Sequence, residues 1–385
     1  MTPETPAQGA QTPPDGKSDD KDDKRRAHHA PSPKRTVAPH DWGRYPYGIE
    51  FKDLKKRRPL MLVSLAAMTH LASLAAVAGV GAAFASGHPM LGLGVAAAAS
   101  LPLGVLNRGL ESLVHGASHY DIADDHAWND RIANTLKAWP AFRDADLDSH
   151  LRVEWNDCLA DALMAWPVFQ RTGPFRRMHL DRHHGDFAGQ GDPCRARMEQ
   201  HADVMDGKLP SLAKTLLGLP REIMEFYKTT GANPLTALLG LGWHMAVLVL
   251  PTALLTGNPL AALAAWAAVS SPTFFLTLPT VRALAEAGEH DYASLGDLSK
   301  SMVERTFDKT GFLNSIIHLY GDQWHIGHHA FPGVPQCNLG KLTKRLIAAG
   351  RGIMMKRRKS ILGKPEAYGA AKETGPDGQA PSNDN

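Results

Sequence analysis

Eight histidines fall in three tight clusters: His115 and His119 in HGASH, His179, His183 and His184 in HLDRHH, and His325, His328 and His329 in HIGHH. Imidazole is the standard nitrogen ligand of zinc, copper, iron and nickel, so the chemistry on offer is metal binding. Residues four apart on an α-helix share a face, the relation of His115 to His119 and of His179 to His183. One such pair is commonplace. Three clusters, two of them ending in His-His, read as a ligand set. One ion rarely takes eight nitrogens, so two ions are expected. Zinc is usually satisfied by four ligands. Donors in this number suit two ions of higher coordination number, and iron can activate dioxygen.

The elements that must position these residues are legible in the charges. The chain has 385 residues, a net charge of +3 and a mean hydropathy of -0.25, an average that hides strong segregation. No Asp, Glu, Lys or Arg occurs in the 49 residues between Arg58 and Arg108, or in the 53 between Lys228 and Arg282. As helix, each run would be roughly 75–80 Å long, against a bilayer core of about 30 Å. Each therefore fits two spans, turned at Ser86-Gly87-His88-Pro89 and at Thr256-Gly257-Asn258-Pro259. The expected spans are about 60–85, 89–107, 234–256 and 259–281.

Two hairpins return the chain to its starting side, so both termini and all three clusters share one compartment. Lys52, Lys55, Lys56, Arg57 and Arg58 precede the first span, while neither outer turn carries Lys or Arg. The positive-inside rule makes that compartment the cytoplasm. Cys158, Cys194 and Cys337 stand singly, with no C-x-x-C, which suits a reducing cytosol. No secretory signal is visible, and residues 1–50 and 361–385 read as disordered tails around a membrane domain over 51–360. His28, His29 and His40 lie in the first tail, as solvated residues.

Between the first two clusters, Trp128 to Phe142 (WNDRIANTLKAWPAF) and Trp155 to Phe169 (WNDCLADALMAWPVF) are identical at nine of fifteen positions, offset by 27. This reads as a local tandem duplication of an amphipathic helix. Its expected role is a spacer lying at the membrane interface, where Trp is favoured. His150 follows the first copy without a His-His partner and is left out of the site, as are His126, His201 and His318. His70 and His244 lie inside spans and read as neutral hydrogen-bonding residues, with substrate contact the lesser option. Glu111, Asp121, Asp181 and Asp322 are candidate acceptors for ligand N–H groups, which would orient the rings. His290 lies nine residues beyond Val281 and His115 eight beyond Asn107, so straight exiting helices would project both by about 12–14 Å. That makes His290 either a ninth ligand or a solvated neighbour of Glu289.

These motifs resemble the membrane fatty acid desaturase family, whose three histidine boxes have the forms H-x-x-x-H, H-x-x-(x)-H-H and H-x-x-H-H. RALAEAGEH is similar to the family's arginine-to-Glu-His segment, which favours His290 as a ligand. HHAFPGVPQCNLGKL resembles the pattern that follows the third box. The second box has three residues between its first two histidines, as in a subset of the family. Gly321, Asp322 and Gln323 stand where the family commonly has Asn, and the duplication lengthens the interval between boxes one and two.

The resemblance implies an all-α integral membrane protein, with four transmembrane helices as two hairpins and a cytoplasmic helical cap carrying the boxes. It implies two Fe ions with dioxygen as co-substrate, held by His115, His119, His179, His183, His184, His290, His325, His328 and His329. Hydrogen removal from a fatty acyl chain or acyl lipid would give a double bond. The nearest alternative is hydroxylation or ketolation of a lipid, carotenoid or other hydrophobic compound at the same site. A metal transporter or storage protein would instead place ligands along the spans. No cytochrome b5 or ferredoxin domain is visible, so an external ferredoxin or cytochrome b5 with its reductase is the expected electron donor. No nucleic-acid partner is expected, and the expected location is a bacterial inner membrane.

Overall fold

All four spans open on a proline at the first helical turn, where its missing N–H costs nothing and its fixed φ suits the helix. In the computed structural model they are α1 (Pro59–Ala85), α2 (Pro89–Ser118), α7 (Pro234–Thr256) and α8 (Pro259–Glu286). In the second hairpin, Asn233 and Asn258 cap the helices by accepting from the Thr236 and Ala261 N–H groups. The hairpin turns pass through Gly87 and Gly257, at φ 76° and 61°, a left-handed conformation that favours glycine. The structure describes residues 52–123, 125–138, 154–187, 189, 191–193, 195, 212–230, 232–286, 288–291, 302–353, 355–360 and 364–369. They fall within one unit, Tyr45–Asn385. The first 50 residues, His150 and His201 lie outside the described residues.

Each of the four helices is long and apolar enough to cross a membrane. Leu60, Leu71, Leu238, Leu254 and Leu260 are more than half exposed on their outer faces, which hydrocarbon would cover. Inside the bundle, Val77, Val80, Ala96, Leu103, Leu248, Ala265 and Val269 form a core. α7 and α8 each contain a π turn, Met245–Val249 and Thr273–Thr277, beside Pro251 and Pro272. A proline supplies no N–H to the preceding turn, and a π turn is one way for a helix to absorb that defect.

The remaining elements form a cap. They are α3 (Asp125–Lys137), α4 (Trp155–Ala160), α5 (Thr172–Arg176), α6 (Leu212–Thr229), α9 (Phe312–Ile317), α10 (His325–Ala330) and α11 (Leu339–Ala348). The cap is not wholly helical. β1 (Phe307–Lys309) runs parallel to β2 (Lys356–Arg358), which pairs antiparallel with β3 (Glu366–Ala367). β3 lies beyond residue 360, where composition alone places the start of a tail. Its order comes from main-chain pairing and from the Tyr368 hydroxyl donating to Asp308 at 2.8 Å, neither of which needs an apolar pattern.

The duplication also departs from expectation. The second copy is α4 followed by a π turn, Asp161–Ala165, and a 3-10 turn, Trp166–Val168. Ala160, Met164, Ala165 and Val168 are buried against Leu110, Leu113, Val114 and Ala117 of α2. It is therefore core under the first box, and not a peripheral spacer. His70 donates to the Leu163 carbonyl (2.7 Å) and His244 to the Pro167 carbonyl (2.9 Å), so both intramembrane histidines are hydrogen-bonded, and the Trp266 indole N–H donates to the other nitrogen of His244 at 3.0 Å. Trp155 of the second copy meets Trp128 of the first at 6.0 Å, and its indole N–H donates to Asn129.

Candidate metal centre

α2 runs on past its apolar segment and delivers His115 in its last turn, with His119 just after the helix end. The second box lies on a π-helix, Arg177–His184, that continues α5. The third lies on α10. α8 ends at Glu286, and a short turn then carries His290 into an antiparallel bridge with Thr306. His290 thus reaches the level of the boxes through a turn and a bridge rather than along a straight helix.

The imidazoles converge in two groups. One nitrogen each of His115, His119, His179 and His328 lies within 4.8 Å of the others. The Nε2 of His115 is 2.8 Å from that of His179 and 2.9 Å from that of His328. His184 joins this group, its Nε2 3.0 Å from His179 and 3.1 Å from His328. The second group is His183, His290, His325 and His329, also within 4.8 Å. All nine predicted site residues are therefore brought together, five around one point and four around another.

The spacing assigns them differently from α-helical reasoning. His179 and His183 share no centre, because on a π-helix the hydrogen-bonded step is five residues, so His184 stands beside His179. On α10 the ordinary four-residue relation holds, and the Nε2 atoms of His325 and His329 are 3.0 Å apart. Each His-His doublet is divided, His184 and His328 going to one group and His183 and His329 to the other.

Chemistry tests whether metal fits. His115 Nδ1 donates to Asp322 at 3.0 Å and His183 Nδ1 to Asp192 at 2.9 Å. In a neutral imidazole that leaves Nε2 as a lone pair. The Nε2 of His115 then faces those of His179 and His328, and the Nε2 of His183 faces that of His329 at 3.4 Å. His119 Nε2 is buried with no hydrogen-bond partner. Burial lowers the pKa of His119, His179, His184, His290, His325, His328 and His329 well below the ordinary imidazole value, and neighbouring imidazoles press the same way. Neutral rings crowded nitrogen to nitrogen are what a cation satisfies. The donor set fits two metal ions.

Around the rings lies a buried ionic frame. Burial raises the Asp322 carboxyl, but Arg108, at 2.8 Å, the hydrogen bond from His115 and the nearby His318 ring outweigh it and hold it well below the usual carboxylate range. Glu289, His318 and Asp322 are themselves within 4.8 Å. With the Arg108 guanidinium against two of these groups, the cluster reads as support for His115 and not as a third metal site. Of the other expected acceptors, Glu111 pairs with Arg282 (Nε to Oε2 3.1 Å) and Gln170, Asp121 accepts from the Gln336 N–H, and Asp181 is exposed. None of these three holds a ring. Asp192, which does, was missed; it follows His183 by nine residues across a glycine-rich turn, a spacing that carries no helical or strand signal.

A cleft opens beside His115, His179, His183 and His325, walled by Phe175, Met178 and Phe226 and by Arg108, Glu111 and Glu286. A family model described as fatty acid desaturase matches residues 148–354, which include boxes two and three and His290. No curated protein and no solved structure matches the chain. The match spans more than half of the 385 residues, and with the geometry of the boxes it establishes that the chain belongs to the fatty acid desaturase family.

Proposed function

We propose that this chain is a di-iron, dioxygen-dependent membrane enzyme that desaturates a fatty acyl chain or an acyl lipid. The observation that carries the reading is the five-and-four division of nine imidazoles, seven of them buried, with both His-His doublets split between the groups. His115, His119, His179, His184 and His328 would hold one iron, and His183, His290, His325 and His329 the other. Two irons bound there would supply reductive activation of dioxygen for attack on an unactivated C–H bond. The chain's own part is to fix the rings and keep bulk water out. Asp322 and Asp192 set the orientation of His115 and His183. Phe175 stacks on His179 at 5.7 Å, and Phe187 lies 5.1 Å from His290, so aromatic faces close both groups.

An apolar substrate is supported by the setting, since α2, one of four helices long and apolar enough to cross a membrane, itself carries His115. Electrons would come from an external ferredoxin or cytochrome b5 with its reductase. The Lys and Arg residues before α1 support a cytoplasmic position for the boxes and both termini. The test is fatty acid and lipid profiling of a host expressing the chain, against His328→Ala, under labelled dioxygen. A new double bond without label, lost in the mutant, is the expected result. A labelled alcohol or ketone would replace desaturation by oxygen insertion at the same centre, and an unchanged profile at full iron loading would remove the acyl substrate.

A further inference from the structure

α9 turns two large apolar residues outward. Phe312 is 81 % exposed and Leu313 57 %, while Asn314 and Ile317 are buried. Ile317 packs with Val281 and Ala285 of α8 and Val105 of α2. Val281 is the last uncharged residue of the second apolar run, and Val105 lies two before Asn107, the last of the first. α9 therefore sits at the height where two spans leave the hydrocarbon.

Beside it run four consecutive cations, Lys356, Arg357 and Arg358 of β2 and then Lys359. The joint is tight. Thr310 N–H and Asn314 Nδ2 both donate to the Arg358 carbonyl, at 2.9 and 3.0 Å. Gly311, at φ 96°, lies so close to the Lys359 carbonyl that a Cβ would come within 2.2 Å of it. Against the four cations, Glu366 takes Arg357 at 2.9 Å and Lys359 at 2.8 Å, and Asp291 acts on Arg358. Among the described residues the strand thus keeps a positive excess. Lys359 is 61 % exposed even in its pair.

We propose that the α9 tip and β2 form an interfacial anchor, with Phe312 and Leu313 in the outer acyl region and Lys356, Arg357 and Lys359 on the phosphates of anionic lipids. Aromatic and aliphatic side chains flanked by Lys and Arg are the composition that lies in a bilayer interface, and cations there select anionic headgroups. An acidic protein partner fits the charge but not the two exposed apolar side chains at this height. The inference needs the chain to be in a membrane and does not depend on the reaction, so its test reads no activity.

The full chain is made with p-benzoylphenylalanine in place of Phe312, placed in vesicles of equal parts phosphatidylcholine and phosphatidylglycerol, and illuminated. Lipid adducts at 312, enriched in phosphatidylglycerol, are expected. With Lys356, Arg357 and Lys359 changed to Gln, the phosphatidylglycerol-to-phosphatidylcholine adduct ratio should fall by about fivefold or more. Lys359→Gln alone, at an exposed side chain, should lower it in the same direction and guards against misfolding of the triple variant. Adducts to a second chain or to other protein, no lipid adduct, or a ratio that neither variant moves would overturn the proposal.

Discussion

At the scale of single residues, the site is built on which nitrogen of a ring its carboxylate partner takes. Asp192 and Asp322 take the Nδ1 protons of His183 and His115 and leave Nε2 to face the other rings. Asp192→Asn should therefore weaken metal retention or activity by about 10–100-fold, measured as metal per chain after dialysis, while Asp181→Asn at an exposed position should change neither. His290→Ala should lose the metal of the four-ring group and lower turnover by at least about 100-fold. The same change at His318, which touches Glu289 and Asp322 and no ring of either group, should leave both metals in place. The boxes were legible because histidine clusters are rare and periodic. Asp192 was not, because a side chain that reaches a ring across an irregular turn has no spacing rule.

At the scale of elements, helix type decided what spacing could not. HLDRHH looked like an α-helical pair at four residues plus one, and the π-helix reassigns the partners. The spans were legible from the missing charges and the turns from Gly and Pro. Of the straight extensions expected from spacing, α2 continues through Arg108–Ser118, whereas α8 adds only Arg282–Glu286 and stops short of His290. There Arg282 reaches Glu111 across the two helices and lies over Phe226 of α6, 3.4 Å from its ring centre. Arg282→Ala leaves a buried carboxylate unpaired and should cost about 3–5 kcal/mol, read as a lower unfolding midpoint in detergent. The duplicated copies divide in the opposite way from their likeness in sequence. Asn156 of the second copy accepts from the Ile122 and Ala123 N–H groups and donates to the Ala117 carbonyl, so the chain on either side of the first copy already meets. Deleting Trp128 to Glu154 should therefore preserve iron binding and alter stability or product profile. Loss of iron from a variant that still inserts would assign the first copy to the metal scaffold.

At the scale of the whole molecule, the four-helix bundle, with the second copy buried against α2, is a platform on which nine imidazoles converge in two groups. Fold class followed from the charge pattern because a bilayer admits few solutions. The three short strands, the burial of the second copy and the ionic frame of Arg108, Glu289 and Asp322 did not follow, because each depends on contacts between residues far apart in sequence. The central claim is that nine rings hold two irons, and metal analysis of the purified full-length chain tests it most directly. Two irons per chain are expected, falling to about one in His325→Ala, whose ring belongs to the four-ring group alone. A single zinc per chain, with activity that persists without iron, would contradict the account.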